Sequence, residues 1–65
     1  MKHSCRAARL LYLIRLLSTR PYRVSELVEL CRVHRATIQR DLLELQMEPL
    51  RVPLISEDGR WQILR

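Results

Sequence analysis

The stretch Val33-His34-Arg35-Ala36-Thr37-Ile38-Gln39-Arg40-Asp41-Leu42 decides how this chain is read. Ile38 and Leu42, with Leu45 beyond them, recur at helical spacing and predict a buried stripe. Arg35, Ala36, Gln39, Arg40 and Leu43 fall on the opposite side. Just upstream, Ser25-Glu26-Leu27-Val28-Glu29-Leu30-Cys31-Arg32 is a shorter amphipathic segment. The two segments read as helices joined by a turn of three or four residues, and the second helix opens on a basic, polar face.

Working outward, the helix of the decisive stretch spans about 35–47, and Pro49 stops it. The helix before it spans about 25–32. Ser25 is a good N-cap there, and Glu26 in the first turn suits the helix dipole. Leu27, Val28, Leu30 and Cys31 are expected to face inward. A first helix is expected over about 4–17, with Ser4 as its cap and Leu10, Leu13, Ile14 and Leu17 as its inner stripe. Leu11, Tyr12 and Leu16 lie beside or outside that stripe, so the helix is more apolar than a lone small domain needs. They form either a broad core face or a subunit interface. Pro21 drives Arg20 out of helical geometry, and Tyr22-Arg23-Val24 has room for a very short strand.

Downstream, Asp58-Gly59 is a strong two-residue hairpin signal within a hairpin expected over about 51–65. If it is the loop, Glu57 pairs with Arg60, Ser56 with Trp61 and Leu54 with Ile63. That register puts Val52, Leu54, Trp61 and Ile63 on one apolar face, so the turn and the alternation agree. The fold class is mainly α with a small β-hairpin (α+β), in the order α-β-α-α-β-β. It forms one domain over 1–65, without repeats or linkers.

A chain of 65 residues buries only about 60% of its unfolded surface and leaves no room for a substrate pocket beside a core. That argues against an enzyme, as does the single glycine, which rules out a Gly-rich phosphate loop. Neither a Ser/His/Asp set nor a carboxylate pair is suggested. The 48% apolar fraction argues against disorder. The longest apolar run, 10–17, is interrupted by Arg15, and it is too short to span a membrane and lacks a cleavage site. Net charge is +5, and its distribution is uneven. Lys2, Arg6, Arg9, Arg15, Arg20 and Arg23 stand in residues 1–25 without one acid, whereas the remainder balances six arginines against seven acids. Such clustering suits a polyanion. The alternative is general solvation or a GC-rich genome, which eleven arginines to one lysine would fit. The two cysteines form no disulfide framework, in keeping with a reducing cytoplasm. Cys31 reads as a small core residue. A zinc set of His3, Cys5, Cys31 and His34 has only weak spacing, so no metal or cofactor is expected.

Three helices followed by a hairpin is the order of a winged helix-turn-helix domain. The local sequence resembles the N-terminal domains of DeoR-type and WYL-domain bacterial regulators. Their pattern, Leu-Ala, then five residues, then Val-Ser-x-x-Thr-Ile-x-Arg-Asp-Leu, stands here as Leu27-Val28 and the run from Val33 through Thr37, Ile38, Arg40, Asp41 and Leu42. Pro53-Leu54 mirrors the family's Pro-Ile in the first wing strand. The likeness covers nearly the whole chain. Three positions depart from it. Val28 replaces a small Ala, Arg32 stands where Gly often makes the left-handed turn, and His34 replaces a capping Ser. Family members usually carry an effector or oligomerisation domain after the wing, so the chain is either a fragment or a stand-alone module. The resemblance implies a bacterial or phage transcription regulator.

The expected site follows from this placement. The start of the third helix suits a phosphate. His34, Arg35, Ala36, Thr37, Gln39 and Arg40 are the candidate DNA-reading residues. Arg35 and Arg40 suit guanine or phosphate, Gln39 suits adenine, and Ala36 allows close approach. Thr37 either bonds a phosphate or caps its own helix. Arg40 alternatively pairs with Glu44 at i+4. Asp41 would repel phosphate, so it orients an arginine or caps a neighbour. Lys2, Arg20, Arg23 and Arg60 are the candidate backbone contacts. Glu57 and Asp58 weaken the hairpin tip as a contact. The expected partners are double-stranded DNA and either a second copy through Leu11, Tyr12 and Leu16 or a larger protein. No membrane or small-molecule substrate is expected. Two alternatives stay open: a winged-helix module docking within a larger nucleic-acid-processing complex, and an RNA-binding module.

Overall fold

The structure, a computed structural model, describes residues 5–64. Its elements are α1 (Arg6–Thr19), β1 (Tyr22–Arg23), α2 (Val24–Cys31), α3 (Arg35–Gln46), β2 (Leu54–Glu57) and β3 (Arg60–Ile63). The fold is mainly helical with a three-stranded antiparallel sheet in the order β1-β3-β2. Among the described residues no helix is long and apolar enough to cross a membrane.

α1 runs two residues further than its apolar stripe foretells. The Ser18 hydroxyl donates to the Ile14 carbonyl and the Thr19 hydroxyl to that of Leu16, each at 2.6 Å. The Thr19 bond occupies a carbonyl of the last turn that has no partner within the helix, and the Ser18 bond adds a second donor to the Ile14 carbonyl. Arg20 then turns extended ahead of Pro21. The expected cap Ser4 lies outside the described residues, and Cys5 holds the cap position without a side-chain cap bond.

α2 starts at Val24, one residue before the expected start, so Ser25 is not its cap. The cap position belongs to Arg23, whose N–H donates to the Glu26 carboxylate at 2.8 Å. That reach-back by the acid in the first turn fixes the helix start. At the other end Arg32 leaves the helix in the left-handed region, φ 57 and ψ 47, with its N–H on the Val28 carbonyl at 2.7 Å. An arginine therefore takes the conformation that Gly adopts most cheaply. Arg32, Val33 and His34 make the turn, and α3 follows. It ends at Gln46, where Met47 turns extended. The Val52 N–H donates to the Leu45 carbonyl at 2.7 Å and ties the next segment to the helix end.

The hairpin has the expected register: Leu54 opposite Ile63, Ser56 opposite Trp61 and Glu57 opposite Arg60. Asp58 and Gly59 have φ of 55 and 75, both positive as a type I′ turn requires. β1 adds a third strand, pairing Tyr22 with Trp61 and Arg23 with Arg60.

Leu13, Leu17, Tyr22, Val24, Leu27, Cys31, Ile38, Leu42 and Leu45 form the core. Val52, Leu54, Trp61 and Ile63 close it from the hairpin side. Four inward expectations are corrected. On α2, Leu30 is exposed and Val28 only partly buried; on α1, Leu10 and Ile14 are only partly buried, because that helix face narrows onto Leu13 and Leu17. The place of a third apolar residue on that stripe is held by Arg9, 7% exposed and paired with the more deeply buried Asp41 of α3.

Candidate nucleic-acid interface

α3 buries Ile38, Asp41, Leu42 and Leu45 and leaves Arg35, Ala36, Gln39, Arg40 and Leu43 exposed on its outer side. A 3.6-residue period assigns these two sets to opposite faces. The left-handed Arg32 turns the chain so that α3 departs from α2 with its first turn open to solvent. His34 is the cap residue, exposed and without a side-chain cap bond. Thr37 is half-buried beside it, and among the described residues its hydroxyl makes no local cap. No acidic residue stands in the first turn of α3 to offset the positive end of the helix dipole, although Glu29 of α2 lines the same pocket as His34, Arg35 and Thr37.

Two ion pairs fix the rotation of α3. Arg9 grips the Asp41 carboxylate through Nε and Nη2, the second bond at 3.1 Å. One turn along, Arg6 pairs with Glu44. Asp41 therefore takes the first of its two expected roles, orienting an arginine rather than capping a neighbour. Glu44 is taken by α1, which removes the alternative in which it pairs with Arg40. Among the described residues Arg35 and Arg40 make no ion pair, so both guanidiniums remain available to a ligand. The hydrogen bond that Arg9 donates to Asp41, its largest influence, raises the Arg9 pKa above its ordinary value although burial opposes it.

The expected cationic leader is thereby reduced. Arg6 and Arg9 are spent on α3, and Lys2 lies outside the described residues. Arg20 is tethered. Its guanidinium stacks 3.9 Å from the Tyr22 ring centre, donates to the Pro21 carbonyl at 2.9 Å and meets Glu26 at 3.5 Å. The Glu26 pKa is lowered, first by the Arg23 N–H and then by Arg20. Arg23 and Arg60 stand directly opposite one another on β1 and β3. Like charges so placed repel unless an anion lies between or near them. Arg20, Arg23, Arg60 and Glu26 line one open groove, which carries a net positive charge.

Sequence reasoning missed the Arg6–Glu44 and Arg9–Asp41 pairs. The signal was present, because Arg9 precedes Leu13 and Leu17 on one four-residue spacing. It also missed a groove of about 460 Å³ between α3 and the hairpin tip, where Leu43 and Trp61 meet Arg35 and Gln39. Of the expected subunit contacts, Leu11 is 68% exposed, whereas Tyr12 and Leu16 are partly buried against the core. Cys31 is buried and its thiol pKa is raised by that burial, as suits a core residue. Among the described residues no group of His, Cys, Asp or Glu is arranged to hold a metal. No protein-family model, curated protein or solved structure matches the chain.

Proposed function

We propose that this chain is a winged helix-turn-helix domain that binds double-stranded DNA, with the outer face of α3 in the major groove and the β2–β3 hairpin as its wing. The observation that carries the reading is that face itself. Two arginines without an ion pair among the described residues and a glutamine flank a small alanine, on a helix held from behind by two ion pairs. Arg35 and Arg40 are suited to guanine, Gln39 to adenine, and Ala36 lets the helix approach the base edges. Arg23 and Arg60 supply the sequence-independent grip on phosphates. The role is non-catalytic: regulation of transcription in the cytoplasm of a bacterium, or by a phage. Dimerisation through exposed Leu11 would place two copies on a two-fold site.

Titration of labelled duplexes at two salt concentrations tests the reading. Binding that is sequence-preferring and falls steeply with salt supports it. A second reading, a docking module for a larger complex, is favoured by the exposed Leu11, Leu43 and Met47. Failure to bind any duplex at low salt puts that second reading ahead.

A further inference from the structure

Leu43 is out of keeping with its surroundings. It is 59% exposed on the same side of α3 as Arg35 and Gln39, where every other long side chain is polar. It lies one turn beyond Gln39, about 6 Å along the helix axis. Beside it runs the groove between α3 and the hairpin tip, with half-buried Trp61 as an apolar wall. The groove lining contains no acid, and Arg35 stands at its rim. The Arg23 guanidinium also reaches the tip, where it would lie 3.2 Å from a Cβ placed on Gly59. An apolar surface with a cationic, acid-free rim complements an apolar group carried on a polyanion better than it complements an ordinary protein surface.

DNA displays one such group in the major groove, the C5-methyl of thymine. We infer that Leu43, backed by Trp61, forms a subsite for a thymine methyl, one or two base-pair steps from the base that Gln39 reads. The spacing fits, since 6 Å along the helix spans roughly two steps of about 3.4 Å. The inference rests on the DNA-binding reading and adds a named base preference to it. Leu43 thereby acts as a specificity residue, and its exposure has a use.

The test begins with the full chain and a pool of random duplexes, from which preferred sequences are enriched. Each thymine of the enriched duplex is then replaced singly by deoxyuridine, which removes only the methyl. One replacement should weaken binding about fourfold, the worth of a single buried methyl. Leu43→Ala should bind the thymine and deoxyuridine duplexes equally and should melt like the parent, because the side chain is largely exposed. Uniform affinity across all replacements overturns the subsite, as does an enriched sequence without thymine or a methyl effect that persists in Leu43→Ala. If no duplex is enriched at all, the DNA reading fails with it and the apolar face is left to a protein. Duplex binding without a methyl effect removes the subsite alone.

Discussion

Arg9 of α1 and Asp41 of α3 are joined in the interior by a two-pronged ion pair, 32 residues apart in sequence. The pair turns the acid of the decisive stretch away from any polyanion and leaves its arginines outside. Removing one partner strands a buried charge, which costs about 3–5 kcal/mol. A domain of this size holds only about 3–10 kcal/mol in all. Arg9→Met and Asp41→Leu should therefore each unfold much of the population, as read from urea denaturation. The double variant should recover most of the stability, since well-packed apolar replacements of a buried pair are near neutral. A double variant as weak as either single one contradicts this account.

Arg35→Ala and Arg40→Ala should each weaken binding to a preferred duplex by about 1–3 kcal/mol and relax base preference. Arg23→Ala should instead lower the salt slope by about one unit and leave preference intact. Anisotropy titrations over a salt series separate the two behaviours. Equal losses on every duplex would remove the base-reading role of Arg35 and Arg40.

Arg32→Gly should stabilise the domain by about 0.5–1 kcal/mol. A non-Gly residue in the left-handed region costs about 1–2 kcal/mol, part of which is offset by the greater freedom of Gly in the unfolded chain. A rise in melting temperature checks it, and a fall would show that the Arg32 side chain contributes more than its backbone strain costs.

The Glu26 pKa is depressed in the folded state by the Arg23 N–H and by Arg20. A carboxylate with a depressed pKa contributes stability that is fully present above the unfolded value, about 4.3, and is lost as pH falls through the lower folded value. Glu26→Gln should therefore flatten the acid limb of the stability curve and leave its slope near neutrality unchanged. An unaltered acid limb would contradict the capping role.

Cys31 is sealed in the core and its thiol is held protonated by burial, whereas Cys5 is exposed. A thiol reagent at neutral pH should label one cysteine in the native protein and both after denaturation. Rapid native labelling of Cys31 would show that the core opens.

The hairpin was legible because two local signals, the Asp58-Gly59 turn and the alternation around it, dictate one register. The face of α3 was legible for the same reason, since helical period alone separates Gln39 from Ile38. The start of α2 was not, because Ser25 is the better cap by type while the Glu26 side chain selects Arg23. The buried pair was hidden because its halves are distant in sequence and a lone arginine on an apolar stripe reads as surface charge. That oversight made residues 1–25 look like a continuous basic face, when two of its arginines serve α3.

The central claim is that the outer face of α3 reads duplex sequence. It is tested most directly by enriching random duplexes with the wild-type chain and with a folded Arg35→Ala/Arg40→Ala variant, then comparing the recovered sequences. The account predicts a defined site for the wild type, lost or blurred at particular positions in the variant. An identical site from both proteins, or none from the wild type, would contradict it.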